Sequence, residues 1–440
     1  MFRLTVLLWL AAATCALAAP TAAAKPRETV NHTLAHLAAR GPYDAAELSR
    51  WKSDWRTARG AVGRLRGDER RNLSGVIANT RSLASRRLLG ARARPAFETL
   101  RRNLDWFVER RASAPANGMR DGFGTDVVWQ FYDGSGWQLQ PLGSFGALNA
   151  LLKRRRTDER VRVLADQLLR LGVWRKGFLA FEYLFPWDGG RPGWISGMAQ
   201  ATGMQALAGA YRRLGDVRLL RAAARMRPAF ERRPPWGVRR PTGHGRAHFL
   251  LYSQSPRLLV GNGFAQALLG LDRYREISGD PRAERLVEEG LAQARHNLSR
   301  FDTGAWSLYY RTPSSPGVES DLHYHRVFTG FLEQLCARFG EERFCHMHEQ
   351  FAAYEAEPVE IARLRVRERR RRLVVTLRVS KRSAVTVIAR AGDRVIARST
   401  RALLRGPERF VFARPRSRGQ IAVEVRATSL TGVSSAANAG

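Results

Sequence analysis

The chain has few acidic residues for its length. Only 39 aspartates and glutamates stand against 74 lysines and arginines, which leaves a formal net charge of +35 over 440 residues. A field of this sign gathers polyanions and repels cations, so cationic substrates are disfavoured. Nucleic acid, anionic lipid and acidic polysaccharide remain as partner classes, and an arginine-rich coding bias is the alternative explanation of the charge.

Long hydrophobic runs are also missing, apart from one at the start. A short basic segment precedes LTVLLWLAAATCALA, which ends in an A-L-A cleavage site at residues 16–18. The run is too short for a typical membrane-spanning helix, so residues 1–18 are predicted to be a secretory signal peptide. We therefore expect a secreted, extracellular protein without stable membrane insertion. For such a protein, we expect acidic polysaccharide as the partner and no nucleic acid.

Cysteine is scarce, and removing the predicted signal peptide leaves only Cys336 and Cys345. An even pair in an exported chain suggests a disulfide, with two buried free thiols as the alternative. A zinc site needs more ligands than this pair offers, and the nearby His346 and His348 are weak evidence for one. No metal site is therefore predicted.

The common motifs of cofactor and nucleophile chemistry are absent as well. The sequence contains no phosphate-binding loop followed by Lys-Ser/Thr, no H-E-x-x-H and no G-x-S-x-G. The G-N-G at 261–263 lacks the context of a dinucleotide site. We expect no cofactor.

The first part of the chain after the predicted signal peptide is helical in pattern. Residues 26–115 carry apolar side chains at three-to-four spacing, as in AAELSRWKSDWRTARGAVGRL. The segment ASAPANG, at 112–118, breaks this pattern. We expect an N-terminal helical region over 26–115.

An internal repeat follows. The segments 142–172, 197–226 and 260–294 each hold a helix rich in small and apolar residues, a tight turn with an aspartate, and a second helix; 326–354 is a fourth copy. The turn aspartates are Asp158, Asp216 and Asp280. Four antiparallel hairpins that close on themselves make an (α/α) barrel or toroid. We predict a mainly α fold with such a barrel over residues 120–358.

The connections between these hairpins are long, aromatic and glycine-rich, for example WQFYDGSGWQLQ and FLAFEYLFPWDGGRPGW. In an antiparallel hairpin array, the short turns share one face and the long connections share the other. Long ordered loops on a rigid scaffold are where binding and catalytic residues usually lie. The candidate site is therefore expected on the face of the long connections.

Residues 361–440 change to an alternating pattern, as in LVVTLRV and QIAVEVRA, with turns such as SKRS between the runs. This predicts a small all-β module, an immunoglobulin-like sandwich, with a strongly basic composition. A glycan-binding role and a purely structural spacer role are both open for this basic β-sandwich module.

The long connections carry side chains suited to an acidic sugar. They are the carboxylates Glu182, Asp188, Asp302, Glu319 and Asp321, the phenols Tyr183, Tyr252, Tyr309, Tyr310 and Tyr324, the imidazoles His244, His248, His323 and His325, the guanidinium groups Arg246, Arg257, Arg311 and Arg326, and the indoles Trp137, Trp187, Trp194 and Trp306. Neutralising a sugar carboxylate makes the proton on the adjacent carbon removable by a tyrosinate or a histidine. Returning a proton to the opposite face gives epimerisation, and loss of the 4-linked sugar gives elimination.

Simpler explanations exist for the same residues. Aromatic side chains in loops often only cap a barrel. The H-x-H pair at 323–325 is seldom a metal site unless the fold places a third ligand beside it. Glu182, in FEYLF, can simply accept hydrogen bonds from backbone N–H groups.

Four ordered segments resemble a known family. PGWISGMAQATGMQALAGAYRRLGD, LLYSQSPRLLVGNGFAQALLGL, FDTGAWSLYYRT and DLHYHRVFTGFLEQL occur in that order. Together they resemble the C-terminal catalytic domain of the D-glucuronyl C5-epimerases, the heparosan-glucuronate 5-epimerases, over about residues 125–355. The resemblance implies an (α/α) barrel and an isomerase that converts D-glucuronate to L-iduronate in a heparosan-like polymer.

The resemblance also implies site residues. The family's catalytic tyrosines fall on Tyr252 in LLYSQSP, on Tyr309 after the D-T-G segment and on Tyr324 in H-Y-H. The family's glutamate before the first tyrosine falls on Leu251, so Glu182 or His248 would have to replace it. The residues expected to bind substrate are Glu182, Trp194, His248, Asn262, Arg311, His323, His325 and Arg326.

Three hypotheses follow for the function. The leading one is a secreted uronate C5-epimerase whose three tyrosines act as acid and base, with Arg311 or Arg326 holding the carboxylate. A polysaccharide lyase shares the first chemical step and is the alternative enzyme. A non-catalytic protein that binds acidic glycan is the third. The oligomeric state is open, and a homodimer is one option.

Overall fold

A computed structural model describes residues 28–369, 371–413 and 420–439. The signal peptide predicted at residues 1–18 lies outside the described residues. In the described ranges, no helix combines the length and the apolar character that crossing a bilayer requires.

The N-terminal part is helical, as the apolar spacing predicts. It consists of α1 (Val30–Arg40), α2 (Ala45–Val62), α3 (Gly67–Ser85) and α4 (Leu89–Leu104), followed by a π-helical turn at Asp105–Glu109. Trp51 on α2 stacks on Phe97 of α4 with ring centroids 5.2 Å apart. Both rings are almost fully buried. Their burial fixes the two helices against each other.

Four helical hairpins follow, each built as the sequence repeat predicts. They are α5 (Pro141–Leu152) with α6 (Asp158–Leu171), α7 (Gly197–Leu214) with α8 (Val217–Met226), α9 (Gly261–Ser278) with α10 (Pro281–Asn297), and α11 (Leu322–Phe339) with α12 (Glu342–Ala353). The first helices α5, α7, α9 and α11 pack side by side in chain order, and each second helix packs against its own first helix. The prediction of a mainly α chain is confirmed.

Glycine lets the first helices approach closely. A Cβ atom on Gly270 of α9 would lie 2.6 Å from the carbonyl oxygen of Ala201 on α7, closer than real Cβ contacts allow. The small residues that mark the repeat in the sequence therefore have a packing role at this crossing.

The hairpin turns follow helix-capping chemistry. Gly215 and Gly279 end α7 and α9 in the left-handed conformation, with φ of 74° and 63°. Asp216 and Asp280 then cap α8 and α10, since each carboxylate accepts the backbone N–H two residues on. Asp158 differs, because it is the first residue of α6 rather than its cap.

The cysteine pair is bonded. Cys336 on α11 and Cys345 on α12 form a disulfide, with their Cα atoms 4.8 Å apart. The disulfide prediction is confirmed, and the bond ties together the two helices of the last hairpin.

The long connections form small antiparallel sheets. The strands are β1 (Arg120–Asp121), β2 (Trp129–Tyr132), β3 (Gly136–Leu139), β4 (Val173–Arg175), β5 (Phe178–Ala180), β6 (Glu182–Tyr183), β7 (Trp194–Ile195), β8 (Arg239–Gly243), β9 (Arg246–Phe249), β10 (Leu259–Val260), β11 (Leu308–Thr312) and β12 (Ser315–Glu319). They pair as β1-β2-β3, β4-β5, β6-β7, β8-β9 and β10-β11-β12. These sheets give the long connections an ordered backbone that can position side chains.

The C-terminal part is all β, as predicted. Its strands are β13 (Ile361–Arg369), β14 (Arg372–Val379), β15 (Ser383–Ala391), β16 (Arg394–Leu403), β17 (Gly406–Ala413), β18 (Ile421–Ser429) and β19 (Ser434–Ala439). They form two antiparallel sheets, β13-β14-β17 and β16-β15-β18-β19, over one apolar core that includes Val375 and Val425. Two facing sheets of this kind make a sandwich.

The sandwich is docked against the helical part through buried polar contacts. Glu319, at the end of β12, accepts the backbone N–H groups of Arg382 and Arg405 at 3.3 and 2.9 Å. The Lys381 ammonium donates to the carbonyl oxygens of Tyr354 and Glu357. These contacts place two turns of the sandwich next to the end of β12 and the segment after α12.

Candidate active site

The structure brings together the three tyrosines expected to be catalytic. The hydroxyl oxygens of Tyr252 and Tyr309 lie 3.2 Å apart. The rings of Tyr309 and Tyr324 are 4.6 Å apart. Three positions spread over 73 residues of sequence therefore meet in one place, on the face of the long connections.

Short regular elements hold these phenols. Tyr309 lies on β11, which pairs with β10 and β12 in one small sheet. Tyr324 lies in the first turn of α11, where the Asp321 carboxylate caps the helix by accepting the Tyr324 N–H at 2.8 Å. The D-L-H-Y-H segment therefore starts a helix and presents Tyr324 with 38% of its surface exposed.

An aromatic wall extends from Tyr252. Trp194 packs edge-on against Tyr252 at 5.8 Å and stacks on Tyr183 at 4.1 Å. The Trp194 indole N–H donates to the carbonyl oxygen of Phe185, which fixes the ring. Trp194 therefore lies beside the phenols, with only 6% of its surface exposed.

Two members of the site were not among the sequence candidates. The Gln140 amide N–H donates to the Tyr132 hydroxyl at 2.7 Å, and the Tyr183 hydroxyl donates to the Gln140 amide oxygen at 2.8 Å. Both residues belong to the connection WQFYDGSGWQLQ, whose aromatic composition was the available signal. We call Tyr132, Tyr183, Tyr252, Tyr309 and Tyr324 the tyrosine cluster.

Burial favours the protonated form of four of the five phenols. It raises the pKa of Tyr132, Tyr183, Tyr252 and Tyr309 above the ordinary value of a phenol. For Tyr309, negative charge on the neighbouring Tyr252 would raise the pKa further. For Tyr252, the hydrogen bond with Tyr309 acts in the opposite direction and favours the phenolate. Removing a first proton from this pair is therefore easier than removing the second.

Charged groups flank the cluster on both sides. Arg120 favours the phenolate forms of Tyr132 and Tyr183, since a nearby cation lowers a phenol pKa. The Asp188 carboxylate accepts a hydrogen bond from the Ser255 hydroxyl at 2.7 Å, and its negative charge raises the pKa of Tyr252. The cluster thus has a cation at its Tyr132 side and carboxylates at its Tyr252 side.

Glu182, expected to bind substrate, is engaged by two arginines. Its carboxylate accepts from Arg92 at 2.5 and 2.7 Å and from Arg175 at 2.7 Å, and its side chain has no exposed surface. Arg92 lies on α4, so this triad joins the N-terminal helices to the long connections. The geometry gives Glu182 a structural role.

The two histidines of D-L-H-Y-H have different surroundings. His323 is exposed, and its ring lies 5.3 Å from that of Tyr324. His325 is fully buried, stacks on Trp306 at 3.6 Å, and hydrogen-bonds with the Ser307 hydroxyl and the Phe351 carbonyl. Only His323 is available to a ligand at the cluster. Within the described part of the chain, no group of three or more His, Cys, Asp or Glu side chains is arranged to hold a metal ion.

The remaining candidates lie in other surroundings. Arg326 is exposed and forms an ion pair with Glu355 at 2.8 Å. Arg311 lies over the Phe301 ring, with its guanidinium carbon 6.0 Å from the ring centroid. Asn262 is buried in the first turn of α9, where its side-chain oxygen accepts the Gly263 N–H. None of these contacts joins the three residues to the tyrosine cluster.

His248 is buried in apolar surroundings. Its ring stacks on Phe264 at 4.4 Å, and neither ring nitrogen has a hydrogen-bond partner among the described residues. Burial lowers the pKa of His248 to about 3, and the charge of Arg240 acts in the same direction. The imidazole is therefore neutral in the folded protein at physiological pH.

His248 should make the fold sensitive to acid. Between pH 6.5 and about 3, the unfolded chain protonates this imidazole and the folded chain does not. The free energy of unfolding should then fall with falling pH by up to about 1.4 kcal/mol per pH unit from this group. His248→Leu should flatten that slope in denaturant titrations at several pH values. His323→Leu, at an exposed position, should leave it unchanged, and equal slopes in all three proteins would contradict the assignment.

Position 251 carries no acid. Leu251 is 8% exposed, and its side chain packs against Gly263 at the start of α9. Carboxylates near these tyrosines include Asp188, whose charge raises the pKa of Tyr252, and Asp321, whose charge raises the pKa of Tyr309.

A family model matches part of the chain. Residues 171–353 match the family model described as D-glucuronyl C5-epimerase C-terminus. The matched range contains Tyr183, Tyr252, Tyr309 and Tyr324. The family resemblance inferred from the sequence is confirmed for this region, which is related to carbohydrate epimerases.

Individual relatives are distant. The D-glucuronyl C5-epimerase of Caenorhabditis elegans is 25% identical over 159 residues, which is 33% of this chain and 26% of that protein. An uncharacterized protein of Methanocaldococcus jannaschii is 25% identical over 183 residues, which is 41% of this chain and 56% of that protein. The chain therefore spans less than two thirds of the length of either relative.

Solved structures show only a weak likeness. Cellobiose 2-epimerase from Bacillus thermoamylovorans matches with a TM-score of 0.39 at 11% identity, over 66% of this chain and 75% of that chain. This likeness is too weak to carry an argument about the fold or the function.

Proposed function

We propose that this protein is a uronate C5-epimerase that converts D-glucuronate to L-iduronate within a heparosan-like polysaccharide. The observation that carries the proposal is the meeting of Tyr252, Tyr309 and Tyr324, the positions onto which the family's catalytic tyrosines fall. We also infer that the four hairpins are part of an (α/α) barrel whose long-connection face holds the site.

The chemistry requires removal and return of one proton. The C5 hydrogen of a uronate is acidified by the adjacent carboxylate once that charge is neutralised. A phenolate of the Tyr252–Tyr309 pair removes the C5 proton and becomes a phenol, and the electron pair is held by the sugar carboxylate. A second phenol of the cluster delivers a proton to the opposite face of C5 and becomes a phenolate. The atoms of the sugar are unchanged, and only its configuration is inverted.

The pair is suited to this exchange. A hydrogen bond between two phenols stabilises the phenolate form of the acceptor, which partly offsets the effect of burial. The ring of Tyr324 lies against Tyr309, so a third hydroxyl belongs to the same cluster. Loss of the family's glutamate at Leu251 is compatible with a mechanism in which the phenols alone do the proton transfer.

The surroundings fit a polymeric sugar acid. The exposed Trp187 offers aromatic surface to sugar rings, and His323 and Arg120 offer hydrogen bonds to a carboxylate. The net charge of +35 favours capture of an acidic polysaccharide. Secretion, expected from the first 18 residues, would bring the protein to such polymers.

Proton NMR of the purified protein with heparosan in deuterium oxide tests the proposal. We expect deuterium to appear at C5 together with iduronate signals, because proton removal opens C5 to exchange with solvent. Unsaturated uronate signals would instead identify the protein as a polysaccharide lyase. Retention of heparosan without exchange would identify a protein that only binds acidic glycan.

A further inference from the structure

A second charged feature lies on the first helices of the hairpins. A cavity of about 1120 Å³ is lined mainly by α5, α7 and α9. Its wall includes small or uncharged side chains, among them Gly146, Ala150, Gln205, Gly209 and Gln266. The small residues leave this space open, since a Cβ atom on Gly146 would meet no heavy atom within 4 Å.

The charge on the cavity wall has one sign. Among the described residues that line it there are six arginines, one lysine and no carboxylate. Five of these cations come from the short-turn ends of α5 and α7, and they are Lys153, Arg154, Arg155, Arg212 and Arg213. A concave surface that carries only positive charge focuses the field and concentrates anions.

Most of these cations have no counter-ion. Arg213 is paired with Asp158 at 2.5 Å, and Arg273 on α9 is paired with Glu276 at 2.6 Å. In the described part of the chain, Lys153, Arg155 and Arg212 form no ion pair. They are exposed, so their ammonium and guanidinium groups are open to an anionic ligand.

The cavity reaches the tyrosine cluster at its other end. Leu142 and Arg120 line the cavity. Leu142 also packs against the apolar group that contains Tyr183 and Trp194, and Arg120 acts electrostatically on Tyr132. Helix α7 has 18 residues and is therefore roughly 27 Å long, so the basic turns lie about that far from the cluster.

We propose that this cavity is an anionic-glycan subsite, in which Lys153, Arg155 and Arg212 bind uronate carboxylates of the same polymer whose reacting unit lies at the tyrosine cluster. The inference rests on the proposed function, and it adds a binding site for the part of the polysaccharide that lies beyond the reacting sugar. Arginine and lysine bind carboxylates by charge-assisted hydrogen bonds. Because about 27 Å separates the two regions, only an oligosaccharide of several sugar units can reach both.

Equilibrium binding of end-labelled heparosan oligosaccharides tests this. For the variant Lys153→Gln/Arg155→Gln/Arg212→Gln, we expect the Kd of a dodecasaccharide to rise about tenfold or more, which is about 1.4 kcal/mol. Its salt dependence should become shallower, because fewer ionic contacts remain to be screened. The Kd of a tetrasaccharide and its rate of C5 exchange should not change, since a short chain need not reach the basic turns.

A matched control removes the same charge elsewhere. Arg221→Gln/Arg282→Gln/Arg285→Gln alters three exposed arginines on α8 and α10, and none of them lines the cavity. This variant should bind both oligosaccharides like the unaltered protein. A steric variant, Ala150→Phe, keeps the charge and fills the cavity, so it should also weaken only the dodecasaccharide; Ala150→Ser should not.

The outcomes separate this inference from the proposed function. Unchanged dodecasaccharide binding in the cavity variants, or equal weakening of both oligosaccharides, would overturn the subsite even if C5 exchange is normal. Displacement of the dodecasaccharide by millimolar inorganic phosphate would indicate a free-phosphate site and would also overturn it. Length-dependent loss of binding without any C5 exchange in the unaltered protein would support the subsite and refute the epimerase.

Discussion

Tyr309→Phe is expected to slow proton exchange at C5 strongly while heparosan binding persists. The hydroxyl of Tyr309 lies 3.2 Å from that of Tyr252, and its ring packs against Tyr324. Phenylalanine keeps the ring and the packing but removes the group that carries the proton. A positioned acid or base contributes about 10²- to 10⁴-fold to a rate, so the exchange rate should fall by that factor. Deuterium incorporation followed by NMR gives the rate, and retention on immobilised heparosan gives the binding.

The neighbouring tyrosine is a matched control. Tyr310 lies on the same strand, β11, but pairs in register with Val260 and Val318. Tyr310→Phe should leave the exchange rate within about twofold of that of the unaltered protein, since a substitution that touches no reacting atom leaves transition-state stabilisation unchanged. If Tyr309→Phe and Tyr310→Phe exchange equally fast, the tyrosine cluster is not the reacting centre.

The hydrogen-bonded pair should also behave as one unit. Residues that act together are strongly non-additive, so Tyr252→Phe/Tyr309→Phe should lose little more rate than Tyr309→Phe alone. Additive losses would mean that the two phenols act in separate steps, for example one at each face of C5.

The sequence predicted the helical part of the fold well because its signals are local. Apolar periodicity, the small residues of the first helices and the glycines at turns such as Gly215 and Gly279 depend on neighbours a few residues away. Asp216 and Asp280 cap helices as their positions suggest. The alternation in residues 361–440 likewise required only the two-residue period of a strand.

The site was harder to predict, because its contacts join distant parts of the chain. The resemblance supplied Tyr252, Tyr309 and Tyr324, but no periodicity indicates that the Tyr132 hydroxyl shares Gln140 with Tyr183. Residue type also failed to separate exposed from buried groups. His323 and His325 are two positions apart, yet a helical turn sends one to solvent and the other onto Trp306.

Glu182 shows why a carboxylate in an aromatic loop is ambiguous. In sequence it is an acid beside Tyr183 and therefore a plausible ligand for substrate. In the structure its charge is neutralised by Arg92, 90 positions earlier in the chain, and by Arg175. Only the folded chain reveals that pairing, and it leads to a prediction about stability rather than about activity.

Glu182→Gln is expected to lower the free energy of unfolding by about 3–5 kcal/mol, because it leaves two buried arginines without their carboxylate. The side chains of Arg92 and Arg175 are only 6% exposed, so water cannot replace the lost charge. Since Arg92 belongs to α4, the loss should loosen the N-terminal helices from the long connections. Denaturant titration measures the change in stability, and hydrogen exchange of α4 amides locates it.

The exposed pair Arg326–Glu355 provides the comparison. Glu355→Gln makes the same chemical change where the arginine is 60% exposed, and it should cost less than about 1 kcal/mol. The two variants also decide what Glu182 does for the reaction. If the folded Glu182→Gln protein exchanges C5 at the normal rate and with normal KM, the carboxylate only holds the architecture. If its stability is unchanged and its KM rises, Glu182 leaves the arginines to bind the sugar, and the buried triad is not the state that meets substrate.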